Sequence, residues 1–468
     1  MTIDKQASGG RDWVWLLLLT VFAAAIRLFN LGGYGYFGDE YSTLGACVQQ
    51  RVTEPQWPIL FWLTIGFTNA VGLSEFTLRL IPALLGVLSI PAFYFAGRRL
   101  FGSRAMLFSG LFIALNHWHI FHSQSARFYT GVFLFTGLAF LLTLDALESG
   151  SKVRAVLAGL CTCLAAGFHP TALWLVLTVA ISWVCLVVAR RWFQASNITP
   201  VAIGFLATTT IACLLAASLL VHTAQYLDRS GGFWWGYTRV HVIMGWVRGI
   251  GLTVGAIGVF YLFERLIRRD REDRDLLMFG AALGPIFGLT VIAPSVAVRQ
   301  DYAFSLAFVW YFAAGVAASR LAASTSIPRY LRVGFLAAII GTTLPESVSQ
   351  ITQNLTVDPR EAAEFIKQHA SENDLVAHGA VSGIRHYSGL DVAPLPTSIE
   401  DLEERMTSAR GLGGDYWFVV WRNRFGIKAS KEWQSWFHEN TRVVFERHAR
   451  RFDYEVSSLL ILRTPNAE

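Results

Sequence analysis

Residues 13–31 read WVWLLLLTVFAAAIRLFNL, and residues 32–41 continue GGYGYFGDEY. The first stretch carries one charged residue, Arg27. Crossing a hydrocarbon layer takes about 20 mostly apolar residues at a helical rise of about 1.5 Å each. The stretch is long enough to span. Lys5 and Arg11 ahead of it, and Ala23-Ala24-Ala25 inside it, imitate a secretion signal with its cleavage site. Its length and the spans that follow it favour an uncleaved first helix. The second stretch sets two adjacent carboxylates, Asp39 and Glu40, just beyond that helix among glycines and aromatic rings.

The same apolar pattern recurs along the chain. Roughly eleven candidate spans are expected, at 13–31, 78–97, 105–121, 129–147, 155–169, 171–189, 201–222, 248–264, 275–296, 303–321 and 331–346. His169-Pro170 separates the fifth from the sixth, because proline disfavours helix in the residue before it. Composition agrees: of 468 residues 53% are hydrophobic and 15% charged, where a soluble domain carries about 25% charged. Mean hydropathy is +0.43. Sixteen Trp and 34 Phe suit a surface that meets lipid headgroups. The net charge of +6 sits largely in short gaps between apolar runs, so it argues for membrane orientation and against a nucleic-acid partner. The five cysteines show no metal-ligand spacing and four lie inside apolar runs, as small buried hydrophobes do.

Basic residues set the orientation. With the N-terminus cytoplasmic, the inner gaps hold Lys5, Arg11, Arg98, Arg99, Arg104, Lys152 and Arg154, and the cluster from Arg265 to Arg274. The excess is inside, as the positive-inside rule requires. An odd number of spans then puts the C-terminal part outside, in a chain expected to lie in the cell's inner (plasma) membrane. That part, residues 347–468, alternates helix-period and strand-period segments and reads as a small soluble α/β domain. Residues 1–346 form the transmembrane domain in this division, with an outer loop at 32–77 that would carry the chemistry. No glycine fingerprint or nucleophile motif appears in the C-terminal domain, and its expected role is a structural cap.

A second polar cluster lies where the third span leads into the fourth: NHWHIFHSQSARFY, residues 116–129. It brings His122, Gln124, Arg127 and Tyr129 to one helix junction on the expected outer face. Arg127 opposes the positive-inside bias, and a cation outside calls for an anion; a phosphate suits the guanidinium fork.

At this point the chain resembles a known group. Arg27-Leu28-Phe29, then Gly38-Asp39-Glu40, then Gly97-Arg98-Arg99-Leu100-Phe101-Gly102, then Ser123-Gln124-Ser125-Ala126-Arg127-Phe128-Tyr129, look like the superfamily of protein O-mannosyltransferases and aminoarabinose transferases. These are integral-membrane glycosyltransferases of the C-type (GT-C) fold. The likeness covers the first 190 residues well and the rest mainly in topology. It implies transfer of a hexose or pentose from a polyprenyl-phosphate donor to a protein, lipid or glycan acceptor outside the membrane. It further implies that Asp39 is catalytic with Glu40 beside it, and that Arg127 and Tyr129 open the fourth span at the donor. His169, Arg299 and Tyr302, at outer ends of later spans, sit where such enzymes shape the donor site. Relatives often carry Glu where this chain has Ser125, so a second carboxylate for a divalent metal is missing there.

The chemistry can be derived from the residues as well. A glycosyl phosphate leaves when its departing charge is stabilised, a role for Arg127, with Arg299 or Arg248 as further candidates. An acceptor hydroxyl needs a base within hydrogen-bond reach, a role for Asp39. One base without a covalent intermediate gives inversion at the anomeric carbon. The aromatic run Phe233-Trp234-Trp235-Gly236-Tyr237 is expected at the outer interface as an aromatic belt. The rival reading is a transporter or flippase for a lipid-linked glycan. Transporters gather broken helices and charges at mid-membrane, often in repeated halves, whereas here the polar groups collect toward one face.

Overall fold

The computed structural model describes residues 11–52, 58–172, 239–267, 275, 277–282, 300–352, 358–379, 383–396, 398–411, 413–421, 431–450 and 456–464. The chain divides into two compact units. The first comprises Met1–Leu31, Ala46–Leu73 and Thr77–Ile351; the second comprises Gly32–Gly45, Ser74–Phe76 and Thr352–Glu468. The loop that carries the acid pair therefore clusters with the C-terminal residues, and the division at 346 drawn from composition does not anticipate this.

In chain order the described helices up to residue 352 are α1 (Arg11–Leu28), α2 (Glu40–Gln49), α3 (Ile59–Val71), α4 (Glu75–Phe101), α5 (Ser103–Leu115), α6 (His117–Ser123), α7 (Tyr129–Ser149), α8 (Lys152–Phe168), α9 (Arg239–Ile250), α10 (Leu252–Ile267), α11 (Phe308–Ala323) and α12 (Arg329–Thr352). Among the described residues four helical stretches are long and apolar enough to cross a membrane: Glu75–Phe101, Tyr129–Ser149, Ala303–Ala323 and Arg329–Thr352. A fifth is the bent pair Ile243–Ile250 and Leu252–Ile267. Large apolar side chains such as Trp13, Trp15 and Leu17 on α1, and Tyr330, Val333 and Phe335 on α12, are exposed. Lipid is the solvent that suits such faces. The chain is a helical membrane protein.

The described residues do not supply eleven straight spans, for two local reasons. The expected span at 105–121 breaks at Asn116, whose Oδ1 accepts the His119 N–H at 2.8 Å and so begins α6. The expected span at 248–264 belongs to two helices bent by 93°. Gly251 lies between them at φ +91°, a conformation that glycine alone adopts readily, and its N–H donates to the Arg248 carbonyl at 2.9 Å. The two breaks meet. Asn116 Nδ2 donates to the Gly249 and Ile250 carbonyls at 2.9 and 3.0 Å, so one side chain caps the start of α6 and the end of α9. The expected spans at 201–222 and most of 171–189 and 275–296 lie outside the described residues, as does the aromatic run 233–237.

Helices in lipid gain little from hydrophobicity against one another, so close packing has to hold them. Here phenylalanine rings interlock: Phe93 meets Phe312 at 5.4 Å and Phe133 at 5.6 Å, and Phe133 stacks on Phe304 at 5.0 Å. One buried charge pair joins α10 to Asp275. The Arg265 Nε donates to Asp275 Oδ2 at 2.8 Å, and the Tyr261 hydroxyl donates to Oδ1 at 3.2 Å.

The second unit is built on a five-stranded sheet. After α13 (Pro359–His369) come β1 (Leu375–Gly379), α14 (Gly383–Ser388), β2 (Val392–Pro394), α15 (Ile399–Gly411), β3 (Tyr416–Trp421), α16 (Lys431–Asn440), β4 (Arg442–Arg450) and β5 (Val456–Arg463). The strand order is β2-β1-β3-β5-β4; β1 pairs parallel with β2 and β3, while β5 pairs antiparallel with β3 and β4. Alternation along the strands gives two apolar faces. Val376, Trp417, Val419 and Ile461 pack with Ala362, Ala363 and Ile366 of α13. Ala377, Phe418, Val420 and Leu460 pack with Leu402 and Met406 of α15 and with Trp436 and Phe437 of α16. Both faces of the sheet are thus covered by helices, which explains the long apolar runs of β3 and β5.

Candidate active site

Two groups of residues named from the sequence are described here, one in each unit. The first is the acid pair. Asp39 immediately precedes α2, its carbonyl accepts the Ser42 N–H at 3.1 Å, and its residue is exposed. Glu40 is the first residue of α2 and is 0% exposed. Its Oε2 accepts the Phe37 N–H at 3.1 Å, which closes a turn over residues 37–40. The pair is divided: Asp39 is an exposed residue, and the Glu40 carboxylate is built into the backbone of its own loop.

The loop before it is tied down. The Gly35 N–H donates to Asp358 Oδ2 at 3.2 Å, and the Tyr36 N–H donates to the Tyr387 hydroxyl at 2.7 Å. Arg360 Nη2 donates to the Gly33 carbonyl at 2.6 Å. A Cβ at position 35 would stand 2.6 Å from Asp358 Oδ1, so the approach requires glycine. None of these partners was singled out from the sequence. Asp358-Pro359 is a legible helix start, and Asp358 does accept the Arg360 N–H at 2.9 Å. Nothing in the local pattern announces its second role toward Gly35.

The second group lies in the first unit, where α6 hands over to α7. Arg127 sits in the short connection, its N–H donating to the Ser125 carbonyl at 2.7 Å. Its guanidinium carbon lies 4.8 Å from the centre of the Phe128 ring, and that ring stacks on His169 at 3.7 Å with an interplanar angle of 7°. His169 follows the last turn of α8, and its Nδ1 accepts the Thr171 N–H at 3.3 Å. An accepting Nδ1 puts the neutral ring's proton on Nε2. Phe128 also touches Tyr129 at 4.5 Å, and Tyr129 lies 4.2 Å from the His122 ring, which Phe304 flanks at 4.4 Å. Arg127, Tyr129, His122 and His169 are thus brought together around Phe128.

Gln124 lies at the same junction and reaches α1. Its amide donates to the Ile26, Arg27 and Phe29 carbonyls at 3.4, 3.4 and 3.1 Å, which caps the end of α1. Arg27 does the same for α5: its guanidinium donates to the Ile113 carbonyl at 3.0 Å and the Ala114 carbonyl at 3.4 Å, and it contacts His119 Nδ1 at 2.8 Å. A cation at a helix C-terminus also meets the negative end of the helix dipole. Arg299 lies outside the described residues. Tyr302 falls in a 3₁₀ turn, Gln300–Leu306. Arg248 is in the last turn of α9.

Among the described residues no three His, Cys, Asp or Glu side chains come together to hold a metal ion. Ser125 offers no carboxylate, and Glu40 Oε2 accepts the Phe37 N–H.

No protein-family model matches the chain, and no curated protein matches it. Solved structures define the fold: it is that of the GT-C glycosyltransferases. ArnT from Cupriavidus metallidurans in the apo state aligns with a TM-score of 0.61 at 14% identity, over 97% of this chain and 98% of that one. The same protein bound to undecaprenyl phosphate aligns at 0.59 and 14% identity, over 98% and 99%. The Archaeoglobus fulgidus oligosaccharyltransferase in its apo form aligns at 0.59 and 12% identity, over 88% of this chain and 70% of that one.

Proposed function

We propose that this chain is a membrane glycosyltransferase that moves one hexose or pentose from a polyprenyl-phosphate carrier to an acceptor on the outer face of the membrane. The end-to-end likeness to a structure bound to undecaprenyl phosphate supports the donor class. The related archaeal enzyme AglB, in complex with an inhibitory peptide and a dolichol-phosphate, supports a lipid-borne sugar and a peptide or lipid as acceptor. In this reading the chain crosses the inner membrane roughly eleven times, with its N-terminus cytoplasmic and residues 347–468 outside.

Asp39 is the base. It removes the proton of the acceptor hydroxyl as the oxygen attacks the anomeric carbon, and the carrier phosphate departs from the opposite face. The configuration inverts. Arg127 meets the phosphate charge that grows as the bond breaks, and the guanidinium fork matches two phosphate oxygens at once. Phe128 and His169 hold that guanidinium from one side. The carrier's tail stays in lipid, so the bilayer does much of the donor binding.

The observation that carries this reading is the division of the acid pair, with Asp39 exposed and Glu40 buried. The test is transfer by the purified protein in vesicles, with undecaprenyl-phosphate mannose and then other undecaprenyl-phosphate sugars as donors. Release of undecaprenyl phosphate that stops in Asp39→Asn supports the reading. Movement of intact donor across the vesicle wall without release would favour a flippase instead.

A further inference from the structure

The exposed carboxylate of Asp39 is useful only if its loop holds still, and glycine at 32, 33, 35 and 38 makes the free loop loose. Three backbone groups within four residues are nevertheless fixed: the Gly33 carbonyl by Arg360, the Gly35 N–H by Asp358 and the Tyr36 N–H by Tyr387. The anchors support one another. Arg360 Nε donates to Asp358 Oδ2 at 2.9 Å and to Oδ1 at 3.1 Å. The Tyr387 hydroxyl donates onward to Glu75 Oε1 at 3.0 Å while accepting from Tyr36. Burial above all raises the Tyr387 phenol, and the Glu75 carboxylate adds to it, so the proton that bridges to Glu75 stays in place at neutral pH. Tyr36 stacks on the Tyr387 ring at 6.1 Å and 20°, and the Tyr41 hydroxyl donates to the Tyr36 carbonyl at 2.8 Å.

On the far side of Asp39 the helix α2 begins at once, and the Phe37–Glu40 bond closes the turn between. The backbone of Asp39 is thus held from both directions. We infer that Tyr387, Asp358 and Arg360 are positioning residues for Asp39, and that the second unit serves as the frame of the acidic loop rather than as a plain structural cap. The inference rests on the reading of Asp39 as the base.

The experiment compares the 468-residue chain with Tyr387→Phe and Asp358→Asn, and with Arg385→Ala as a control whose ion pair to Asp391 is exposed at both ends. Tyr387→Phe keeps the ring stack and loses both hydrogen bonds. Backbone amide exchange is followed over 33–41 and over β1, β3 and β5. The expected result is exchange about tenfold faster in 33–41, as loss of one or two modest hydrogen bonds gives, with the strands unchanged and the control silent. In the vesicle assay kcat falls on the order of tenfold while KM for the donor holds, the signature of lost geometry rather than lost binding. Wild-type protection over 33–41 in both variants overturns the proposal, as does loss of protection that spreads through the strands. Full turnover in Asp39→Asn would overturn the catalytic reading alone, because the exchange data do not depend on it.

Discussion

Asp39 and Glu40 are neighbours in the chain with opposite surroundings: the first is exposed, and the second is 0% exposed with its carboxylate on the Phe37 N–H at 3.1 Å. Their substitutions should separate accordingly. Asp39→Asn is expected to fold and insert normally and to lose transfer by about 10²- to 10⁴-fold, the usual worth of a general base. Glu40→Ala removes the charged acceptor of the half-buried Phe37 N–H and should cost about 1–3 kcal/mol, read as a lower melting temperature. Equal loss of activity with equal stability in the two variants would contradict this division.

Arg127 lies against Phe128, which stacks on His169. Lysine keeps the charge and loses the planar fork. If the fork meets charge that develops during bond cleavage, Arg127→Lys should lower kcat and kcat/KM together, by about 10²-fold. A raised KM with kcat intact would instead assign the residue to plain donor binding.

Arg27 belongs to the frame of the first unit. Its guanidinium serves the last carbonyls of α5, at Ile113 and Ala114. Arg27→Met removes these charge-assisted bonds and should cost about 1.5–3 kcal/mol. Melting of the detergent-solubilised protein several degrees lower is the expected reading; an unchanged midpoint would show that the cap is dispensable.

Asp374 links acid to the stability of the second unit. Burial raises its carboxyl, but N–H groups of Asp415 and Ser371 and the Trp417 indole, at 2.7, 2.8 and 2.9 Å, outweigh it and hold the carboxyl below its ordinary value. A carboxyl depressed by folding stabilises the fold above its unfolded value of about 3.9, and the benefit is lost as pH falls through the lower folded value. Asp374→Asn should therefore destabilise the protein at pH 7 and flatten its loss of stability below about pH 4. Thermal melting of the two proteins at pH 7 and through an acid titration tests both halves.

Hydropathy alone located the stretches at 78–97, 129–147, 303–321 and 331–346, because length and apolarity are what a crossing requires, and helices that meet that requirement stand there. The breaks were less legible. Asn116 ends one helix by capping another whose last carbonyls, at Gly249 and Ile250, lie 133 and 134 residues away. Strands β3 and β5 were visible in their apolar runs, whereas β2, with three residues, and α14, with six, are too short to leave a period. At the site, the acid pair and the Arg127 cluster stood out by residue type. Which acid faces outward did not, since a turn of four residues decides it. Gln124 stands out by its polarity, and the carbonyls its amide serves at the end of α1 lie 95 to 98 residues away. The framing of the loop was hidden most deeply, for Tyr36 and Tyr387 are 351 residues apart.

That separation has a bearing on biosynthesis. Residues 32–45 and 74–76 leave the ribosome long before the sheet they cluster with, whose interior strand β5 ends at Arg463. The early loop has to wait for partners 323 to 351 residues further along the chain, since a native contact between distant segments cannot form before both exist. A chain grown only as far as Ile351 would carry the described helices of the first unit and none of the three side chains that hold the Gly33, Gly35 and Tyr36 backbone.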